Sequence, residues 1–64
     1  MAWDTIKGKW KQFTGSGKER WGELTDDELT KIDGQRDQLV GKIQEKYGIA
    51  KDEAEKQVDE WSNS

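Results

Sequence analysis

The chain has 64 residues, 39% charged and 30% apolar, with a net charge of −3 and a mean hydropathy of −1.24. Cys, His and Pro are absent, which excludes disulfides, thiol chemistry and zinc fingers and removes the commonest general base. Without a long apolar run the sequence predicts neither a transmembrane helix nor a secretory signal. It predicts one marginally stable, soluble, cytoplasmic domain over 1–64.

The first predicted element is a helix over 4–21. With 100° of rotation per residue, Ile6, Trp10, Phe13, Gly17 and Trp21 fall within roughly 80° of one another. Lys7, Lys9, Lys11 and Lys18 lie off that stripe. Asp4 suits the N-cap. Gly8, Gly15 and Gly17 weaken the helix by about 1 kcal/mol each relative to Ala, and the expected bend is at Gly15-Ser16-Gly17. Gly17 alone lies on the apolar stripe, where a missing side chain lets another backbone come close. Gly22 then reads as a left-handed cap.

The second helix, 25–33, carries the clearest local signal. Thr25 and Glu28 have capping-box spacing, Leu24 and Leu29 have hydrophobic-staple spacing, and three acids occupy the first turn. Gly34 breaks this helix. The third helix runs over 35–47 with the stripe Leu39, Val40, Ile43 and Tyr47, and ends at Gly48. The fourth runs over 51–61, with Ala54, Val58 and Trp61 on one face. The predicted core is Trp10, Phe13, Trp21, Leu29, Ile32, Leu39, Ile43, Tyr47 and Val58.

The two halves repeat at an offset of 26. Gly8, Gln12, Gly15, Glu19 and Gly22 recur as Gly34, Gln38, Gly41, Glu45 and Gly48, and Trp21 recurs as Tyr47. Beyond the second cap glycine the offset drops to 25, so Ala50 stands where Thr25 stood and the fourth helix lacks a capping hydroxyl. The repeat predicts an all-α fold of two αα-hairpins, each burying its stripe on the other.

Charge is uneven along the chain. Residues 1–20 carry a net +3 and residues 21–64 a net −6. A basic arm on nucleic acid is one reading, and it is disfavoured by the negative total. The other is a basic helix packed beside acids of its own fold. The carboxylate pairs Asp26-Asp27-Glu28, Asp52-Glu53 and Asp59-Glu60 sit on helices where neighbours diverge by about 100°, so they do not converge on a metal ion. Gly15-Ser16-Gly17-Lys18 imitates a phosphate cradle but has no strand before it. No catalytic, cofactor or metal residue is predicted. Trp3 and Trp61, near the termini, are the candidates for a partly exposed aromatic patch, followed by Lys7 and Lys11. A protein partner for a monomeric domain is the resulting expectation.

Gly8-Lys9-Trp10-Lys11-Gln12, Trp21-Gly22-Glu23-Leu24-Thr25-Asp26-Asp27, Gly34-Gln35-Arg36-Asp37-Gln38-Leu39-Val40-Gly41-Lys42-Ile43-Gln44, Tyr47-Gly48 and Ala54-Glu55 together resemble the CsbD-like family of small bacterial proteins. The resemblance spans roughly residues 3–61 and departs most at Thr14-Gly15-Ser16-Gly17. It implies a four-helical cytoplasmic protein of crosswise hairpins, associated with general and osmotic stress, with no assigned catalytic residue. Three functions follow as expectations: a folded, non-enzymatic interaction module, a hydrophilin-like bulk protectant, or a nucleic-acid binder acting through the basic first helix.

Overall fold

The computed structural model describes residues 3–63, so the ends of the predicted domain, residues 1, 2 and 64, lie outside the described residues. Five helices and no strand form among the described residues: α1 Trp3–Gly8, α2 Trp10–Arg20, α3 Asp26–Ile32, α4 Arg36–Tyr47 and α5 Lys51–Ser62. The expected all-α class stands. The expected single first helix does not.

The break falls at Lys9 (φ −117°, ψ 32°), and α2 runs unbroken through Gly15-Ser16-Gly17. Two indole hydrogen bonds account for it. Trp3 Nε1 donates to the carbonyl of Gly34 at 3.0 Å, anchoring α1 at the α3–α4 turn. Trp10 Nε1 donates to the carbonyl of Leu29 at 2.8 Å, anchoring α2 on α3. One straight helix would have to satisfy both anchors, and the chain yields beside Gly8, where a glycine resists least. The start of α2 is tightened by bonds from the Gln12 and Phe13 amides to the Lys9 carbonyl, at 2.8 and 3.3 Å.

The other boundaries agree with expectation to within a residue or two, for visible reasons. Thr25 caps α3: its hydroxyl accepts from the Glu28 amide at 3.1 Å, and Glu28 Oε1 accepts from the Thr25 amide at 3.0 Å. At the far end Asp33 is left-handed (φ 50°), followed by Gly34 (φ 79°). Gly48 (φ 62°) is the left-handed cap of α4. Gly22 is a correction, because α2 ends on Trp21 with φ −126° and Gly22 has no positive φ. A turn from the Leu24 amide to the Trp21 carbonyl (3.0 Å) redirects the chain there.

The core holds Ile6, Trp10, Trp21, Leu24, Leu29, Ile32, Leu39, Val40, Ile43, Ala54, Val58 and Trp61, with Trp3, Phe13 and Ile49 half-buried against it. Tyr47 leaves the predicted core. It is 39% exposed, because its phenol reaches along the surface to accept a hydrogen bond from the Glu23 amide at 3.1 Å. α4 and α5 share the most extensive helix contact, reinforced by Arg36, whose guanidinium pairs with Asp59 and lies 3.9 Å from Glu55.

Candidate functional site

Trp3, Trp10 and Trp21, from the first third of the chain, converge on Trp61 near its end. Its ring lies edge-on to Trp21 at 5.3 Å, to Trp3 at 6.2 Å, and to Trp10 and Phe13 at 6.3 Å. Such edge-to-face pairs add about 0.5–1.5 kcal/mol each beyond the area they bury. Every indole N–H is bonded: Trp21 to Gln57 Oε1 at 2.9 Å and Trp61 to Ser16 Oγ at 3.1 Å, besides the two bonds above. Gly17 lies beneath Trp61, and a Cβ there would meet the indole at 3.6 Å, an ordinary contact. The close neighbour predicted at Gly17 is therefore a side chain, not a backbone.

The four candidate residues separate accordingly. Trp61 is 8% exposed, so the partial exposure expected of it is corrected: α5 carries its apolar face to the last turn and delivers Trp61 inside. Trp3 is half-buried on the same cluster. Lys7 is exposed, with its stem against Gly34. Lys11 is exposed and lines a groove of about 430 Å³ between α2 and α3, with Trp10, Thr14, Asp26, Thr30 and Asp33. Sequence reasoning missed this groove. Its signal is a pair of polar stripes, Lys11-Thr14-Lys18 and Asp26-Thr30-Asp33, each at helical spacing beside an apolar stripe.

The electrostatics are local. Lys18 pairs with Asp26 at 3.3 Å, whereas Lys7, Lys9 and Lys11 make no ion pair among the described residues. Packing of the basic segment beside its own acids is thus met at Lys18 and Asp26. Glu28, with its side chain 18% exposed, is bonded by Lys46 at 3.0 Å and lies 3.6 Å from Lys42. The Lys46 hydrogen bond, then the Thr25 amide, hold its carboxyl at about 2, below its ordinary 4.5. The same pairing raises Lys46. Glu28 therefore acts twice, as a capping-box residue and as the tie from α3 to α4.

Among the described residues no three acidic side chains gather as a metal would require, no buried side-chain N or O lacks a partner, and no helix is long and apolar enough to cross a membrane. The arrangement defines a small helical protein with an aromatic core and a charged surface.

Comparison with known proteins places it more narrowly. The CsbD-like family model matches residues 4–56. The UPF0337 protein YjbJ of Escherichia coli O6:H1 is 66% identical over 58 residues, covering 91% of this chain and 84% of that protein. The UPF0337 protein ECA0631 of Pectobacterium atrosepticum is 60% identical over 60 residues, 94% of this chain and 87% of the relative. The UPF0337 protein PA4738 of Pseudomonas aeruginosa is 58% identical over 60 residues, 94% and 92% of the two chains. This chain belongs to the CsbD-like family.

Proposed function

We propose that the protein is a non-enzymatic stress-response module, a cytoplasmic monomer built from two repeated αα-hairpins, that binds a protein partner through Trp3, Lys7 and Lys11, with Trp61 forming the floor beneath Trp3. The observation that carries this reading is the pairing of unquenched charge with a half-covered aromatic. Lys7 and Lys11 are exposed and make no ion pair among the described residues, and both Trp3 and Lys7 rest against Gly34. A cation beside a half-covered indole, with a second exposed cation on the next helix, suits an acidic partner carrying one apolar anchor. The stress setting rests on the family resemblance. An interaction surface needs neither a nucleophile nor a base, and the chain lacks His, the commonest general base, and Cys, with no recognisable motif pairing its Ser or Thr with a base.

The test is affinity capture from osmotically stressed cells with wild type and a Lys7→Glu/Lys11→Glu variant, whose exposed sites leave the core intact. A saturable partner retained by wild type and lost by the variant is the expected result. Protection of a dried reporter enzyme that scales with protein mass and ignores both substitutions would replace the module with a bulk protectant. Retention of nucleic acid that the variant loses would favour the basic first segment as a nucleic-acid surface instead.

A further inference from the structure

The groove between α2 and α3 has walls of opposite charge. It follows the antiparallel pair from the Lys18–Asp26 ion pair (3.3 Å) at one end to Trp10 and Asp33 at the other. Asp26 already has Lys18 as its partner there. Lys11 on the α2 wall and Asp33 on the α3 wall make no ion pair among the described residues, although both line the same space. One cation and one anion without an ion pair among the described residues thus line a groove of about 430 Å³, within the roughly 300–1,000 Å³ of small-molecule sites. The net charge of this pair is zero. A simple ion would gain from one wall and be repelled by the other, whereas a dipolar guest gains from both.

Two further features set the groove's geometry. Among the described residues Asp33 is the one non-glycine held at positive φ (50°), a conformation that Asp and Asn tolerate better than other side chains, and it stands at the groove's end beside Trp10. The Trp10 indole is fixed by its bond to the Leu29 carbonyl, which gives the groove a rigid apolar floor that need not reorganise on binding.

We propose that this groove binds a free α-amino acid, with its carboxylate at Lys11, its ammonium at Asp33 and its side chain over Trp10. Thr14 donates its hydroxyl proton to the Lys11 carbonyl at 2.9 Å, leaving its oxygen free to accept from the guest's ammonium. The groove shares Lys11 with the proposed partner surface but needs no protein partner, so a titration with the guest alone tests it separately.

The test is an amide chemical-shift titration of the whole protein with L-leucine, run beside sodium acetate and methylammonium chloride at matched ionic strength. L-leucine should shift the amides around Lys11, Thr14, Thr30 and Asp33 saturably, with Kd on the order of 1 mM. Neither half-guest should saturate in that range. Lys11→Met keeps the stem, and Asp33→Asn keeps a residue that accepts left-handed backbone. Each should weaken binding about tenfold, as loss of one charge-assisted hydrogen bond does. Should Asp33→Asn lower the melting temperature, Lys11→Met alone decides the case. Linear shifts, saturation by acetate or methylammonium alone, or unchanged affinity in Lys11→Met would each overturn the proposal.

Discussion

The turn after α2 and the turn after α4 stand at equivalent places in the sequence repeat and are built differently. In the first, Trp21 is buried and donates to Gln57 on α5, the backbone has no left-handed glycine, and Thr25 caps the next helix with a full capping box. In the second, Tyr47 is exposed, Gly48 supplies the left-handed cap, and Ala50 caps α5 without a side-chain bond. A buried indole and a side-chain cap distinguish the first turn, and a left-handed glycine distinguishes the second. The two turns are also linked directly, since the Tyr47 phenol accepts from the Glu23 amide in the first turn. A repeated sequence pattern thus specifies where a chain turns, and the residue at each matched position decides what holds the turn.

The largest test of that difference is at the matched aromatics. Trp21→Ala should cost about 3–5 kcal/mol, as truncation of a large core aromatic does, and leave so small a domain largely unfolded. Tyr47→Ala should cost about 1 kcal/mol, the worth of one hydrogen bond and some packing. Urea unfolding followed by circular dichroism compares them, and equal losses would mean that the two turns bear on the core alike.

Next come the matched glycines Gly8 and Gly34. Gly34→Ala should cost about 1–3 kcal/mol, because its φ is 79° and a Cβ would lie 2.9 Å from Lys7 Cγ and 3.2 Å from Lys7 Cα. Gly8→Ala, with open space around it, should be neutral or stabilising by up to about 1 kcal/mol. A loss at Gly8 as large as at Gly34 would show that the break at Lys9 needs the glycine itself.

The caps give a smaller and opposite pair. Thr25→Ala should destabilise by about 1 kcal/mol, and Ala50→Ser should stabilise by a similar amount, since Ala50 already has the extended backbone of an N-cap (φ −71°, ψ 158°). Thermal midpoints of the two variants should move in opposite directions.

The pH dependence sharpens the picture at Glu28. Its carboxyl is lowered from 4.5 to about 2 in the folded protein. A depressed pKa stabilises the fold fully above the unfolded value, and that contribution is lost as pH falls from about 4.5 through about 2. Acid titration of the unfolding midpoint should show this loss in wild type, and Glu28→Gln should flatten it. An identical acid profile in Glu28→Gln would remove the Lys46 hydrogen bond as its cause.

What could be read from residues alone was what depends on near neighbours. The Thr25–Glu28 capping box, the left-handed stop at Gly48, the uncapped Ala50 and the stripe Leu39, Val40, Ile43 all rest on contacts three or four residues apart, and all appear at the expected positions. The candidate residues were less legible. Lys7 and Lys11 are exposed as an off-stripe position implies, while Trp61, near the end of the chain, proved to be the centre of the aromatic cluster.

Contacts across the chain decided the remainder. A break at Lys9 replaced the expected continuous helix with its bend at Gly15-Gly17, and on either side of it Trp3 and Trp10 bond carbonyls on different neighbours, 31 and 19 residues away. Tyr47 left the core because Trp21 is buried against α5 while the phenol finds its partner at Glu23. Lys11 and Asp33 came to share a groove only because α2 and α3 lie antiparallel. Helical periodicity assigns a residue to a face, whereas which element covers that face depends on how every helix packs at once, and only the folded chain settles that.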